Sequence, residues 1–160
     1  MKIAVAGIGY VGLSNAVLLA QNHDVTMVDI SQKRVEIINA RQCPIVDPEL
    51  EDFLANKDLS LPATIEVSAY RDADFIIVAT PTNYDPKFNV FDISSVEKVI
   101  GEAIAVNKSA TIIIKSTVPV GYTQSLSEEL KNRPSHLRPG VLARRQSALR
   151  QSPPVADHRR

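Results

Sequence analysis

Three glycines, Gly7, Gly9 and Gly12, follow directly on the apolar run at residues 3–6, and their spacing limits the chain's options more than any other feature. A buried strand ending in this pattern turns tightly and continues into a helix. Gly7 permits the turn, Gly9 lets the backbone approach a pyrophosphate, and Gly12 lets the helix pack against the strand. The predicted helix, about residues 11–20, including Val11, points its free N–H groups and positive dipole end at whatever sits over the turn. A second apolar run, residues 25–28, ends at Asp29. A carboxylate there accepts hydrogen bonds from adenosine ribose hydroxyls and repels a 2′-phosphate. Strand, glycine turn, helix, strand and acid, in that order, predict binding of NAD in preference to NADP.

The alternation continues along the chain. Ser31 is positioned to cap a helix to about residue 41, with Val35, Ile37 and Ile38 facing inward. Pro48 opens a short helix through residue 54, and residues 64–67 suit a brief third strand. A buried strand is predicted at 75–79. Asp92 or Ser94 then caps a helix to about 106, with Val96, Val99, Ile100, Ala103 and Ile104 on one side. A strand at 111–115 and a helix at 123–131 complete the pattern. Strands alternating with helices predict an α/β fold, a doubly wound parallel sheet of the Rossmann type with right-handed crossovers.

Such sheets bind ligands at the carboxyl ends of their strands. Two segments fall there, Thr80-Pro81-Thr82-Asn83-Tyr84-Asp85-Pro86 and Lys115-Ser116-Thr117-Val118-Pro119-Val120-Gly121. Pro81 and Pro119 hold these loops out of helical continuation. The hydroxyls of Thr82 and Thr117 can then face a cofactor; equally, small polar residues make turns in such places.

At 160 residues the chain has one domain's worth of sequence. No apolar run approaches the ~20 residues of a membrane span, and Lys2 begins a strand, so a cytoplasmic protein is expected. Cys43 is the single cysteine, which excludes an internal disulfide or a cysteine-based zinc site. No metal site is expected, and His23, His136 and His158 are given no ligand role. The net charge of zero conceals two unlike pieces. Residues 1–132 carry 11 Lys or Arg against 17 Asp or Glu, whereas residues 133–160 carry seven Arg against Asp157 alone. The expected organisation is a dinucleotide-binding domain at 1–131 and a disordered, basic Pro/Arg-rich tail at 132–160. A nucleic-acid role for that tail is disfavoured, because it lacks aromatic residues for base stacking.

Residues 1–131 resemble the NAD-binding domain of the UDP-glucose/GDP-mannose dehydrogenase family, in its UDP-glucose 6-dehydrogenase branch. The resemblance rests on Ala6-Gly7-Ile8-Gly9-Tyr10-Val11-Gly12-Leu13, on Ala79-Thr80-Pro81-Thr82-Asn83-Tyr84, and on Lys115-Ser116-Thr117-Val118-Pro119-Val120-Gly121. It implies an oligomeric, NAD-dependent enzyme that oxidises the C6 alcohol of UDP-glucose twice, to UDP-glucuronate. It further implies pyrophosphate contacts around Tyr10 and Val11, a ribose contact at Asp29 and a basic residue, Arg34, near the adenosine. Thr82 and Thr117 match threonines at the nicotinamide end, Thr117 with an accessory role at the reacting centre. The family's cysteine nucleophile and its Ser-Pro-Glu-Phe-Leu block have no match here, and Cys43 does not correspond to that nucleophile. The expectation is a truncated chain, inactive alone, with a sheet incomplete on its C-terminal side and the strand at 111–115 left as an edge. A non-catalytic NAD-binding module is the alternative; the two threonine loops argue against a hydroxyacid dehydrogenase or a methyltransferase.

The tail has one further reading. Codons permitted for residues 136–152, read one base later, spell Ile-Phe-Ala-Pro-Glu-Phe-Leu-Arg-Glu-Gly-Lys-Ala-Leu-Tyr-Asp-Asn, which looks like the family's own continuation. A frameshift between about residues 132 and 136 is therefore expected. Sequencing the encoding DNA checks it: the shifted frame should read Glu-Phe-Leu-Arg-Glu, and any other reading removes the idea.

Overall fold

The computed structural model describes residues 1–57, 59–85, 90–131 and 140–143. The elements run β1 (Lys2–Ala6), α1 (Tyr10–Ala20), β2 (Asp24–Val28), α2 (Gln32–Asn39), α3 (Pro48–Asn56), β3 (Ala63–Thr64), a 3₁₀ turn (Val67–Tyr70) and β4 (Phe75–Val78). After these come β5 (Asn83–Asp85), β6 (Val90–Asp92), α4 (Ser94–Val106), β7 (Thr111–Ile114), α5 (Tyr122–Lys131) and β8 (Gly140–Ala143). Six strands form a parallel sheet in the order β3-β2-β1-β4-β7-β8. This is the doubly wound α/β arrangement that the alternating pattern predicts.

The sheet buries both faces, which is why its strands read as continuous apolar runs. Side chains alternate between two cores. Ile3 and Val5 of β1 join Leu13, Ala16 and Val17 of α1, Val35 and Ile38 of α2, and Leu50 and Leu54 of α3. Ala4 and Ala6 join the opposite core, with Val96, Val99, Ile100, Ala103 and Ile104 of α4 and Leu130 of α5. The five α4 residues are those its sequence periodicity selects. Burial of each larger side chain contributes about 1.5–3 kcal/mol.

Local chemistry sets the helix starts. Ser31 Oγ accepts from the Arg34 amide at 3.4 Å, and Asp47 accepts from the amides of Glu49 and Leu50 at 3.1 Å, with Pro48 in the first turn of α3. Asp92 accepts from the Ser94 amide at 3.0 Å and so braces the entry to α4, although Ile93 occupies the cap position itself.

The structure corrects the third strand, the edge at 111–115 and the disorder at 140–143, and adds a hairpin. The third strand is Ala63–Thr64, not 64–67, because Thr64 Oγ1 takes the Glu66 amide at 3.1 Å and the chain turns into the 3₁₀ segment. The hairpin β5–β6 was not foreseen; it pairs Tyr84 with Phe91, their rings 5.0 Å apart. The strand at 111–115 is not an edge. Gly140–Ala143 pairs parallel with it, Thr111 opposite Gly140 and Ile114 opposite Ala143. These four residues form a short uncharged run inside an Arg- and Pro-rich stretch, and the composition of the whole stretch hides them. Expected disorder therefore fails at 140–143; the rest of the tail, residues 132–139 and 144–160, lies outside the described residues, as does Pro86.

One buried polar side chain locks the sheet to the 3₁₀ turn. Asn107 is 7% exposed, and its amide donates to the carbonyls of Tyr70 and Ala73 at 2.8 and 2.9 Å. Its oxygen accepts from the amides of Ser109 and Ala110, both at 3.0 Å. Replacing it strands the Ala73 carbonyl and the Ala110 amide, both in buried residues, and takes one of two donors from the Tyr70 carbonyl. Asn107→Ala should cost about 2–4 kcal/mol in urea denaturation, whereas Ser109→Ala should stay within about 1 kcal/mol; equal effects would deny Asn107 this role.

Candidate functional site

The chain order reverses between β1 and β4, with β2 on the far side of β1 and β7 on the far side of β4. A crevice of about 330 Å³ opens over their carboxyl ends. Gly7, Gly9, Tyr10, Val11, Asp29, Arg34, Thr82 and Thr117 all line it, so residues 110 positions apart in sequence meet around one space. Gly12 is the one predicted site residue that lies beneath rather than on the wall.

The three glycines do different things. Gly7 has φ +102°, and a Cβ there would come within 2.7 Å of the Ala79 carbonyl oxygen, so both its conformation and its neighbour demand glycine. A Cβ on Gly12 would land on the Gly7 carbonyl oxygen, so its absence lets α1 seat against the turn. A Cβ on Gly9 would meet nothing within 4 Å. Nothing in the chain's own packing calls for glycine at that position, and the open space belongs to the crevice. Gly9 is also the cap residue of α1, which has no side-chain cap and no acid in its first turn. The amide of Leu13 makes the first helical bond, to Gly9 at 2.8 Å. The turn before it thus presents backbone N–H groups to the crevice, as an anion site requires.

Asp29 sits just past β2 and is 8% exposed. One carboxylate oxygen accepts from the Ile8 amide at 2.7 Å, the other from the Ser31 amide at 2.8 Å. Each oxygen has a second lone pair, so the carboxylate can brace the glycine turn and still accept from a ligand hydroxyl. Arg34 reaches it at 3.8 Å with half of its side chain exposed, a loose pair at the rim of the crevice. Lys115 adds a second positive charge to the lining.

The opposite wall is the loop Thr80-Pro81-Thr82, which leaves β4. Ser116 Oγ lies 2.7 Å from the Thr80 carbonyl oxygen. Ser95 Oγ, from the first turn of α4, lies 2.7 Å from the Pro81 carbonyl oxygen and 3.1 Å from the Thr80 hydroxyl. Sequence reasoning missed Ser95 altogether and read Ser116 only as part of a motif. Neither has a signature, since each serves a backbone carbonyl.

Cys43 is absent from the lining. It is partly buried against the α1–α3 core, and that burial pushes its thiol pKa up, the opposite of what a nucleophile needs. Among the described residues no group of three His, Cys, Asp or Glu could hold a metal, and no helix is long and apolar enough to cross a membrane. A second cleft, of about 340 Å³, separates α4 from α5 and is lined by Ile100, Ile104, Leu126 and Leu130 with Glu97 and Glu129. It lies on the outer helical layer, away from the strand ends where such folds place ligands.

The description of one protein family fits residues 1–143: UDP-glucose/GDP-mannose dehydrogenase family, NAD binding domain. Among curated proteins, UDP-glucose 6-dehydrogenase of Streptococcus pneumoniae is 50% identical over 130 residues, covering 81% of this chain and 33% of that protein. UDP-glucose 6-dehydrogenase of Campylobacter jejuni is 42% identical over 132 residues, covering 81% and 34%. The solved structure of a UDP-D-ManNAc dehydrogenase from Pyrococcus horikoshii superposes with a TM-score of 0.79 at 28% identity, over 89% of this chain and 35% of that one. The chain spans about a third of the length of the curated relatives it matches. Fold, glycine turn and these similarities agree: the chain belongs to the UDP-glucose/GDP-mannose dehydrogenase family and carries its NAD-binding domain.

Proposed function

We propose that this chain supplies the NAD-binding part of an enzyme that oxidises the C6 alcohol of UDP-glucose to the carboxylate. Bound NAD supplies the hydride acceptor at its nicotinamide ring. The chain's residues bind and orient it. The amides of the first turn of α1, from Tyr10 and Val11 onward, receive the pyrophosphate over Gly9. Asp29 accepts from the adenosine ribose hydroxyls, and Arg34 flanks the adenosine. Thr82 and Thr117 would border the nicotinamide end, Thr117 with an accessory role at the reacting centre. The observation that carries the reading is Gly9, a cap glycine with open space where its Cβ would be, at a helix end with no side-chain cap. The UDP-glucose assignment is supported by the 50% identity to the pneumococcal enzyme. On the same reading the protein works in the cytoplasm as part of an oligomer.

Calorimetric titration tests the cofactor. NAD should bind at least tenfold more tightly than NADP, reflecting a phosphate held against a carboxylate. Gly9→Ala should weaken NAD roughly tenfold or more while its melting temperature stays within about 2 °C of the parent's. Gly12→Ala should instead lose several kcal/mol of stability, on the order of an overpacked core. Asp29→Asn should narrow the gap between NAD and NADP; equal affinities in the parent would remove the ribose assignment. The substrate is tested by joining residues 1–131 to the remainder of the pneumococcal enzyme. NADH formation with UDP-glucose is expected, whereas NAD binding without turnover would favour a non-catalytic NAD-binding module.

A further inference from the structure

The glycine turn is held by strand pairing on both sides, with the Gly7 amide bonded to Val28 at 2.8 Å and the Ala79 amide to Ala6 at 2.9 Å. The wall that faces it is held differently. Pro81 has no N–H and a fixed φ, so this part of the loop has one fewer backbone donor with which to close a turn. Two serine hydroxyls take up the task. Each has one proton to give. Ser116 donates to the Thr80 carbonyl at 2.7 Å, its second neighbour, the Val78 carbonyl, being more distant at 3.4 Å. Ser95 donates to the Pro81 carbonyl at 2.7 Å and, with its proton spent, receives that of the Thr80 hydroxyl at 3.1 Å.

Consecutive peptide planes, those carrying the Thr80 and Pro81 carbonyls, are therefore clamped from two separate elements. The orientation of these planes decides the direction in which Thr82 leaves the loop. The Ser116 bond also ties the loop bearing Thr82 to the loop bearing the adjacent Thr117. With their protons directed into the loop, Ser116, which lines the crevice, has only lone pairs to offer a ligand, and Ser95, outside the lining, acts through the loop alone.

We propose that Ser95 and Ser116 are positioning residues, which clamp the Thr80 and Pro81 carbonyls so that Thr82 and Thr117 together engage the nicotinamide half of the cofactor. This rests on the reading that NAD lies in the crevice, and it deepens it. The clamp should govern the half of NAD beyond the pyrophosphate and leave the adenosine half alone, since that half is held by the glycine turn and Asp29.

Two ligands separate the halves. ADP retains the adenosine and pyrophosphate of NAD and lacks both the second ribose and the nicotinamide. The intact 160-residue chain, Ser95→Ala, Ser116→Ala and the double variant would each be titrated with both ligands and melted. The double variant should bind NAD roughly tenfold more weakly, the loss expected for one or two hydrogen bonds, with ADP changed by less than about twofold. Ser116→Thr, which keeps the hydroxyl, should recover most of the NAD affinity. Parallel losses for both ligands, or no loss for either, would overturn the clamp. If Ser116→Ala fails to fold, Ser95→Ala carries the same comparison, because Ser95 lies outside the crevice lining. Should the parent chain bind neither ligand, the cofactor reading itself falls and this one with it.

Discussion

The bond from the Ile8 amide to the Asp29 carboxylate is the constraint on which the crevice depends. It joins the turn that ends β1 to the residue just past β2, and it does so with a group buried enough to feel little solvent. Once those two strand ends are fixed together, the start of α1 has one place to go, and the missing Cβ of Gly12 lets it go there. The same carboxylate keeps lone pairs for a ligand. If NAD binds as proposed, scaffold and recognition share a side chain, and a change at Asp29 disturbs both.

The two walls of the crevice differ in kind. One is an extension of the sheet, held by ladder hydrogen bonds, by glycines at 7 and 12 and by the Asp29 carboxylate. The other is a proline-containing loop held by side-chain hydroxyls from α4 and from the end of β7. Backbone ladders are cooperative and hard to adjust, whereas a hydroxyl can be removed or replaced singly. A wall built from such bonds is the one whose shape can be tuned without loss of the fold.

Much of the architecture was legible because burial on two faces writes itself as apolar runs and because α4 shows its inward face at a helical period. The glycine spacing and Asp29 mark one wall of the crevice in the sequence itself. What escaped reading has a common cause. Ser95, Ser116 and Asn107 act on backbone carbonyls, which carry no letter in the sequence, so nothing marks a partner for them. The β5–β6 pair carries the packing of Tyr84 on Phe91, a pairing of three residues with three that is too short to show alternation. β8 escaped because four uncharged residues are outweighed by the arginines and prolines around them.

The division of β1 between two cores bears on how the chain tolerates insertion and deletion. Its small residues, Ala4 and Ala6, face the layer of α4, while the branched Ile3 and Val5 face α1. Gain or loss of one residue in this strand would exchange these sets, pressing branched side chains into space sized for methyl groups and leaving voids under α1. It would also carry the glycine turn about 3.3 Å along the strand axis. The central strand can thus accept point changes of similar volume, but its length is set by the distance from the sheet's amino edge to the bend above it.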